Sequence, residues 1–146
     1  MKEYKRENNE DIRFSLHDSN IIGLDFDYNS NALILKTQYG YVDIKNNEMV
    51  EGDIIIKDVH LEDSFVYIHE YKNVLTGNVG GFVGEKMDLE TFISAFSFKF
   101  KSLNVMSEFD SYKTYMLTGF LSRGMDELEV FVEIFYDGNL IYRVRK

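Results

Sequence analysis

The chain lacks cysteine, proline and tryptophan altogether, and its 146 residues include only three histidines. Without cysteine there can be no disulfide, no thiolate metal site and no cysteine nucleophile. A reducing compartment is compatible with that. Without proline, and with no Ser/Gly-rich linker, nothing marks an internal boundary, so the expectation is a single domain over residues 1–146. Long apolar runs are also missing. None approaches the roughly eighteen residues that a membrane span needs. The opening MKEYKRENNEDIRF is charged from its second residue and has no apolar core of a secretory signal. The expected setting is cytoplasmic, without a membrane partner.

What is present points to a globular β-rich protein. The chain is 45% hydrophobic and 15% aromatic, too apolar for a disordered segment and long enough to bury a core unaided. Its aromatics are all Phe and Tyr, which suit half-buried pleated surfaces. The formal net charge is −9. Residues 1–73 carry 8 basic and 15 acidic side chains, a net of −7; residues 74–146 carry 8 and 10, a net of −2. Such a surface repels phosphate backbones, which argues against nucleic acid. It can steer a basic protein partner, and it also serves solubility.

Residues 1–11 are expected to be a flexible arm. Beyond them, period-2 patterns dominate. Ile12, Phe14 and Leu16 alternate with polar neighbours, as do Ile22, Leu24 and Phe26. Tyr28-Asn29-Ser30-Asn31 reads as the turn of a hairpin into residues 32–39, because Asn tolerates a left-handed backbone. Residues 41–44 continue the β pattern, 46–52 read as a loop, and 53–61 and 65–71 as a strand pair. Residues 81–86 suit a short strand. Leu89, Phe92, Ile93 and Phe96 form one helical stripe, with Asp88 as N-cap and Glu90 in the first turn. One short helix is therefore expected near 88–97. The parity of apolar residues flips near Ser102, which suggests a bulge or break there. Asp137-Gly138 reads as a hairpin turn between residues 128–134 and 140–144. The fold class that follows is mainly β (α+β): antiparallel sheets, as a sandwich or a curved half-barrel, with one helix.

Several stretches imitate known chemistry. His17-Asp18-Ser19 holds the three residue types of a hydrolytic triad, but neighbours in an extended strand point to opposite faces and cannot converge. Leu61-Glu62-Asp63-Ser64 echoes Leu16-His17-Asp18-Ser19 with Glu in place of His, so Asp-Ser reads as turn chemistry in both. Asp25 to Asn31 begins like a calcium loop, yet Ser30 and Lys36 stand where that loop needs glycine and glutamate. The glycine-rich run 76–86 has neither phosphate-loop nor dinucleotide spacing. Asp58, His60 and Glu62 alternate along a strand-like segment and could offer oxygen and nitrogen ligands to a divalent ion. A solvent-facing polar row is the simpler reading, so no metal and no cofactor is assigned. No catalytic residue emerges either. Binding candidates are His17, Asp18, Ser19, Asp58, His60 and Glu62. The many Phe and Tyr side chains suit core packing first, and a pocket or interface where exposed.

The stretch Phe14-Ser-Leu-His-Asp-Ser-Asn-Ile-Ile-Gly-Leu resembles the opening hairpin of several small uncharacterised bacterial β-rich families, some of them proposed immunity proteins that neutralise a toxin. The resemblance covers about twenty residues around an LHDS-type turn and transfers no catalytic residue. Abundant Asn, Lys and Ile are in keeping with an AT-rich bacterial genome. Three functional expectations follow. The first is a non-enzymatic binding or protein-interaction domain, immunity-like, with an acidic surface for a basic partner. The alternatives are a small-molecule module with an aromatic-lined pocket, and a metal-dependent enzyme using His, Asp and Glu. Exposed strand edges would also allow a homodimer.

Overall fold

A computed structural model describes residues 1–6, 12–76 and 79–145, with the side chains of 71–82 left out of the description. In chain order the strands are β1 (Lys2–Lys5), β2 (Phe14–Ser15), β3 (Asn20–Asp27), β4 (Ala32–Thr37), β5 (Tyr41–Asp43), β6 (Glu48–Val50) and β7 (Gly52–Ile56). A 3-10 turn (Leu61–Asp63) leads to β8 (Phe65–Thr76) and β9 (Val79–Asp88). Helix α1 (Leu89–Lys99) precedes β10 (Ser102–Ser111), β11 (Thr114–Arg123), β12 (Asp126–Phe135) and β13 (Leu140–Val144).

Ten strands form one antiparallel sheet in the order β1-β13-β7-β4-β3-β10-β11-β12-β8-β9, which starts and ends on different strands and so is not a closed barrel. Helix α1 touches β3 near the middle of this sheet and β8 and β9 at its end. The sheet therefore curls until one helix spans the gap. A second sheet, β2-β5-β6, lies on the same inner side, where Phe14 packs edge-on to Tyr41 at 5.5 Å and against Tyr142 at 4.8 Å. The mainly β fold with one helix is the one expected.

The helix forms where its stripe and caps place it. The Asp88 carboxylate accepts the Thr91 N–H at 2.7 Å, and Phe100 closes the other end on the Phe96 carbonyl. Leu89, Phe92, Ala95 and Phe96 are buried, with Ile93 packed at the margin. The parity flip near Ser102 is simply the change from helix to strand. The bulge lies further on, between Val105 and Ser107. It turns Phe109 outward and leaves Glu108 largely shielded, where it accepts the Tyr115 O–H at 2.6 Å and the Leu16 N–H at 2.8 Å.

Several expectations need correction. The stretch expected as an arm contains a strand, since Lys2–Lys5 pair with Ile141–Val144; residues 7–11 lie outside the described residues. Residues 46–52 include β6, not only loop. The segment read as one strand from 53 to 61 ends at Ile56, and β7 pairs with β4 and β13 rather than with β8. Periodicity could not show this, because it carries no partner information. Asp137-Gly138 is not a hairpin turn either. Its flanking strands, β12 and β13, pair with other neighbours, so residues 136–139 cross between distant parts of the sheet. Both faces are buried where Ala32, Ile55 and Ile141 cluster on the outer side of β4, β7 and β13.

Candidate functional site

Two connections cross the same end of the curled sheet, one from β7 to β8 and one from β12 to β13. They bind each other through the backbone. Val59 bridges Tyr136, the His60 N–H donates to the Phe135 carbonyl, and the Asp137 and Gly138 N–H groups donate to Asp58 and Lys57. Close approach explains Gly138, whose added Cβ would lie 2.6 Å from the Lys57 carbonyl oxygen. Asp58 takes a left-handed φ of 56° as the chain leaves β7. Ser64 then locks the 3-10 turn. It is fully buried, its hydroxyl donates to the His60 carbonyl at 2.7 Å, and it accepts the Phe135 N–H at 2.9 Å.

This packing gathers ionisable side chains from separate parts of the chain. His60 Nε2 lies 2.6 Å from Asp137 Oδ2. Lys113 Nζ lies 2.7 Å from the other oxygen of Asp137. The Lys113 ammonium, then His60, holds the Asp137 carboxyl below its usual range. On the opposite ring edge, His60 Nδ1 lies 3.9 Å from Glu62 Oε1 and 4.0 Å from Asp63 Oδ2. The Phe135 ring meets the imidazole edge-on at 5.2 Å. Asn31, Asp58, His60, Glu62 and Asp137 line a solvent-open cleft of about 380 Å³. Leu89 N–H donates to the Ser64 carbonyl, and Tyr28 O–H donates to Glu90 at 2.8 Å, which brings Asp88 and Glu90 beside the same end.

Of the residues singled out in the sequence, Asp58, His60 and Glu62 do meet in one cleft. They do so on an irregular crossover and a 3-10 turn, not as alternating positions of a strand. Asp63, Lys113 and Asp137 were missed as members of the site. Only the pairing of the two crossovers brings Asp137 within reach, and no spacing in the sequence signals that.

His17, Asp18 and Ser19 belong elsewhere, on the turn between β2 and β3. His17 Nδ1–H donates to the Met106 carbonyl at 2.7 Å, and its Nε2 is 3.5 Å from Asp18. Ser19 is buried and donates to the Gly40 carbonyl at 2.9 Å, so it is no exposed nucleophile. The echo between the two tetrads is structural. The Ser19 N–H returns to the Leu16 carbonyl, and the Ser64 N–H to the Leu61 carbonyl. In both it is the buried serine that ties the turn, while the aspartate faces solvent. His69 lies on β8, 3.5 Å from Glu129. The turn in Asp25–Asn31 is an Asx turn, in which Asn29 N–H donates to Asp27 at 2.9 Å, and that bond lowers the Asp27 pKa.

A second cleft, of about 470 Å³, is lined by Tyr4, Arg6, Arg13, Phe14 and Tyr142. Arg13 lies 4.4 Å above the Tyr4 ring and pairs with Asp43 at 3.2 Å. Arg6 Nη1 contacts Glu108 at 3.2 Å. Its Nε is 2.6 Å from Asp110 Oδ2, but that N–H is not aligned for a hydrogen bond, so the contact is an ion pair only.

The chain matches no protein-family model, no curated protein and no solved structure. No helix among the described residues is long and apolar enough to cross a membrane.

Proposed function

We propose that this protein is a non-enzymatic binding protein, immunity-like, whose acidic crossover end receives a basic partner protein. The observation that carries this reading is the concentration of Asp58, Glu62, Asp63, Asp137, Asp88 and Glu90 at one end of the sheet. Lys113, at this end, is already paired to Asp137. Charge on one face speeds encounter with an oppositely charged partner and sets its orientation. The patch draws on both halves of the chain, so the difference in charge between the halves understates it.

The test is capture from the native lysate on immobilised wild type and on the triple variant Asp58→Asn, Glu62→Gln, Asp63→Asn. The expected result is a basic protein retained at low salt by the wild type, released by a few hundred millimolar salt and not retained by the variant. Equal retention by both, or retention indifferent to salt, would defeat this reading.

The aromatic cleft supports the small-molecule alternative less well. Its rings are engaged by one another, with Tyr4 and Phe14 at 5.4 Å, and its two arginines are already paired with carboxylates.

A further inference from the structure

We propose that His60, Glu62 and Asp63 form a site for one divalent transition ion of the zinc type, oriented from behind by Asp137. This goes beyond the partner-binding reading and does not rest on it.

The Asp137 carboxylate accepts at 2.6 Å, so His60 donates Nε2–H to it. In the neutral ring that fixes the tautomer and leaves a lone pair on Nδ1. Two carboxylate oxygens lie near that nitrogen, at 3.9 and 4.0 Å. While Nδ1 carries no proton, three acceptors turned toward one point repel one another, and a metal cation between them removes that repulsion. Among the described residues neither Glu62 nor Asp63 has a lysine or arginine partner. Lys113 is spent on Asp137.

Geometry agrees with the electrostatics. One donor atom from each of the three residues lies within 4.8 Å of the others. Spacings of this kind leave a point about 2.5 Å from all three, so a small inward rotation of the exposed carboxylates gives ordinary metal–ligand distances of roughly 2.0–2.2 Å. Glu62 and Asp63 are 77% and 61% exposed and are free to make that adjustment. One imidazole and two carboxylates suit a borderline divalent ion better than a soft or purely oxygen-seeking one. The open cleft leaves room for water or a fourth ligand.

A second, separate feature points the same way. Metal-binding histidines characteristically donate their other ring N–H to a carboxylate that fixes the ring. Asp137 does this from the β12–β13 crossover, outside the ligand set, and Lys113 fixes Asp137 in turn. His17 offers a contrast: its Nδ1–H is bound to a backbone carbonyl, and among the described residues Asp18 is the one carboxylate beside its other nitrogen.

The experiment is calorimetric titration of Zn²⁺ into the full chain, free of any histidine tag and stripped with a chelator. One ion per chain with micromolar or tighter affinity is expected. His60→Ala and the surface double variant Glu62→Gln/Asp63→Asn should each lose at least tenfold in affinity. Asp137→Asn should lose about tenfold while the site remains occupied at higher zinc. His17→Ala should bind as the wild type does. Circular dichroism on each variant confirms the fold, and the double variant changes only exposed side chains. Absence of one-to-one binding in the wild type would overturn the proposal. So would equal loss from His17→Ala and His60→Ala, which would reveal an adventitious ion only. Lysate capture repeated with chelator present separates this result from the partner-binding test.

Discussion

His60 and Asp137, separated by 77 positions in the chain, meet at 2.6 Å between Nε2 and Oδ2. The contact joins the two segments that cross the end of the curled sheet. It exists because Val59 and Tyr136 bridge, and because the Asp137 N–H donates to Asp58. The same pairing that closes this end of the fold also gathers Asp58, Glu62 and Asp137 in one cleft.

Asp137 should make stability depend on acid. Lys113, then His60, lowers its folded pKa. Its contribution is complete above the ordinary carboxylate value of about 3.9 and is lost as pH falls through the lower folded value. Urea midpoints of the wild type and Asp137→Asn should differ at pH 7 and draw together below about pH 4. A gap of constant size across that range would count against this account.

The crossover packing should reject a methyl group. In Gly138→Ala the new Cβ meets the Lys57 carbonyl oxygen at 2.6 Å, a backbone atom that cannot swing aside. A loss of about 1–3 kcal/mol is expected from chemical denaturation. At Gly124 the φ of 63° costs an alanine something, but nothing lies within 4 Å. Gly124→Asn should therefore be tolerated, since Asn accepts that conformation.

Serine rather than aspartate should matter in the two echoing turns. Ser64→Ala removes the acceptor for the Phe135 N–H, for a cost of about 1–3 kcal/mol. Asp63→Asn should change stability by less than about 0.5 kcal/mol, as an exposed surface substitution does. Thermal melts of the two variants side by side decide this.

Glu108 should be among the most sensitive charged positions. It accepts from Leu16 N–H, Tyr115 O–H and Arg6, and its side chain is only 11% exposed. Burial and the Glu108 charge push the Tyr115 phenol well above its usual pKa, which keeps it a donor. Glu108→Ala leaves the Leu16 N–H and Tyr115 O–H without their acceptor and leaves Arg6 with Asp110 as its one carboxylate partner among the described residues, for about 3–5 kcal/mol. The double variant Glu108→Leu/Arg6→Met should recover part of that loss. If it unfolds as readily as Glu108→Ala, the weakened pairing of Arg6 is not the cause.

The sequence by itself determined the local elements. Alternation marked most strands, and the stripe with its Asp88 cap marked α1, because both periods are written in neighbouring residues. It also set aside the triad reading of His17-Asp18-Ser19, since adjacent residues cannot converge. Which strands pair was left to the tertiary structure. β7 and β8 read as partners and are not; β12 and β13 read as a hairpin and are not. Asp58, His60 and Glu62 were visible as candidates, whereas Asp63 needed a 3-10 turn and Asp137 needed the paired crossovers. Period-2 patterning records which side of a sheet is buried and nothing about which strand lies beside it. The distance between His60 and Asp137 is decided by that second fact alone.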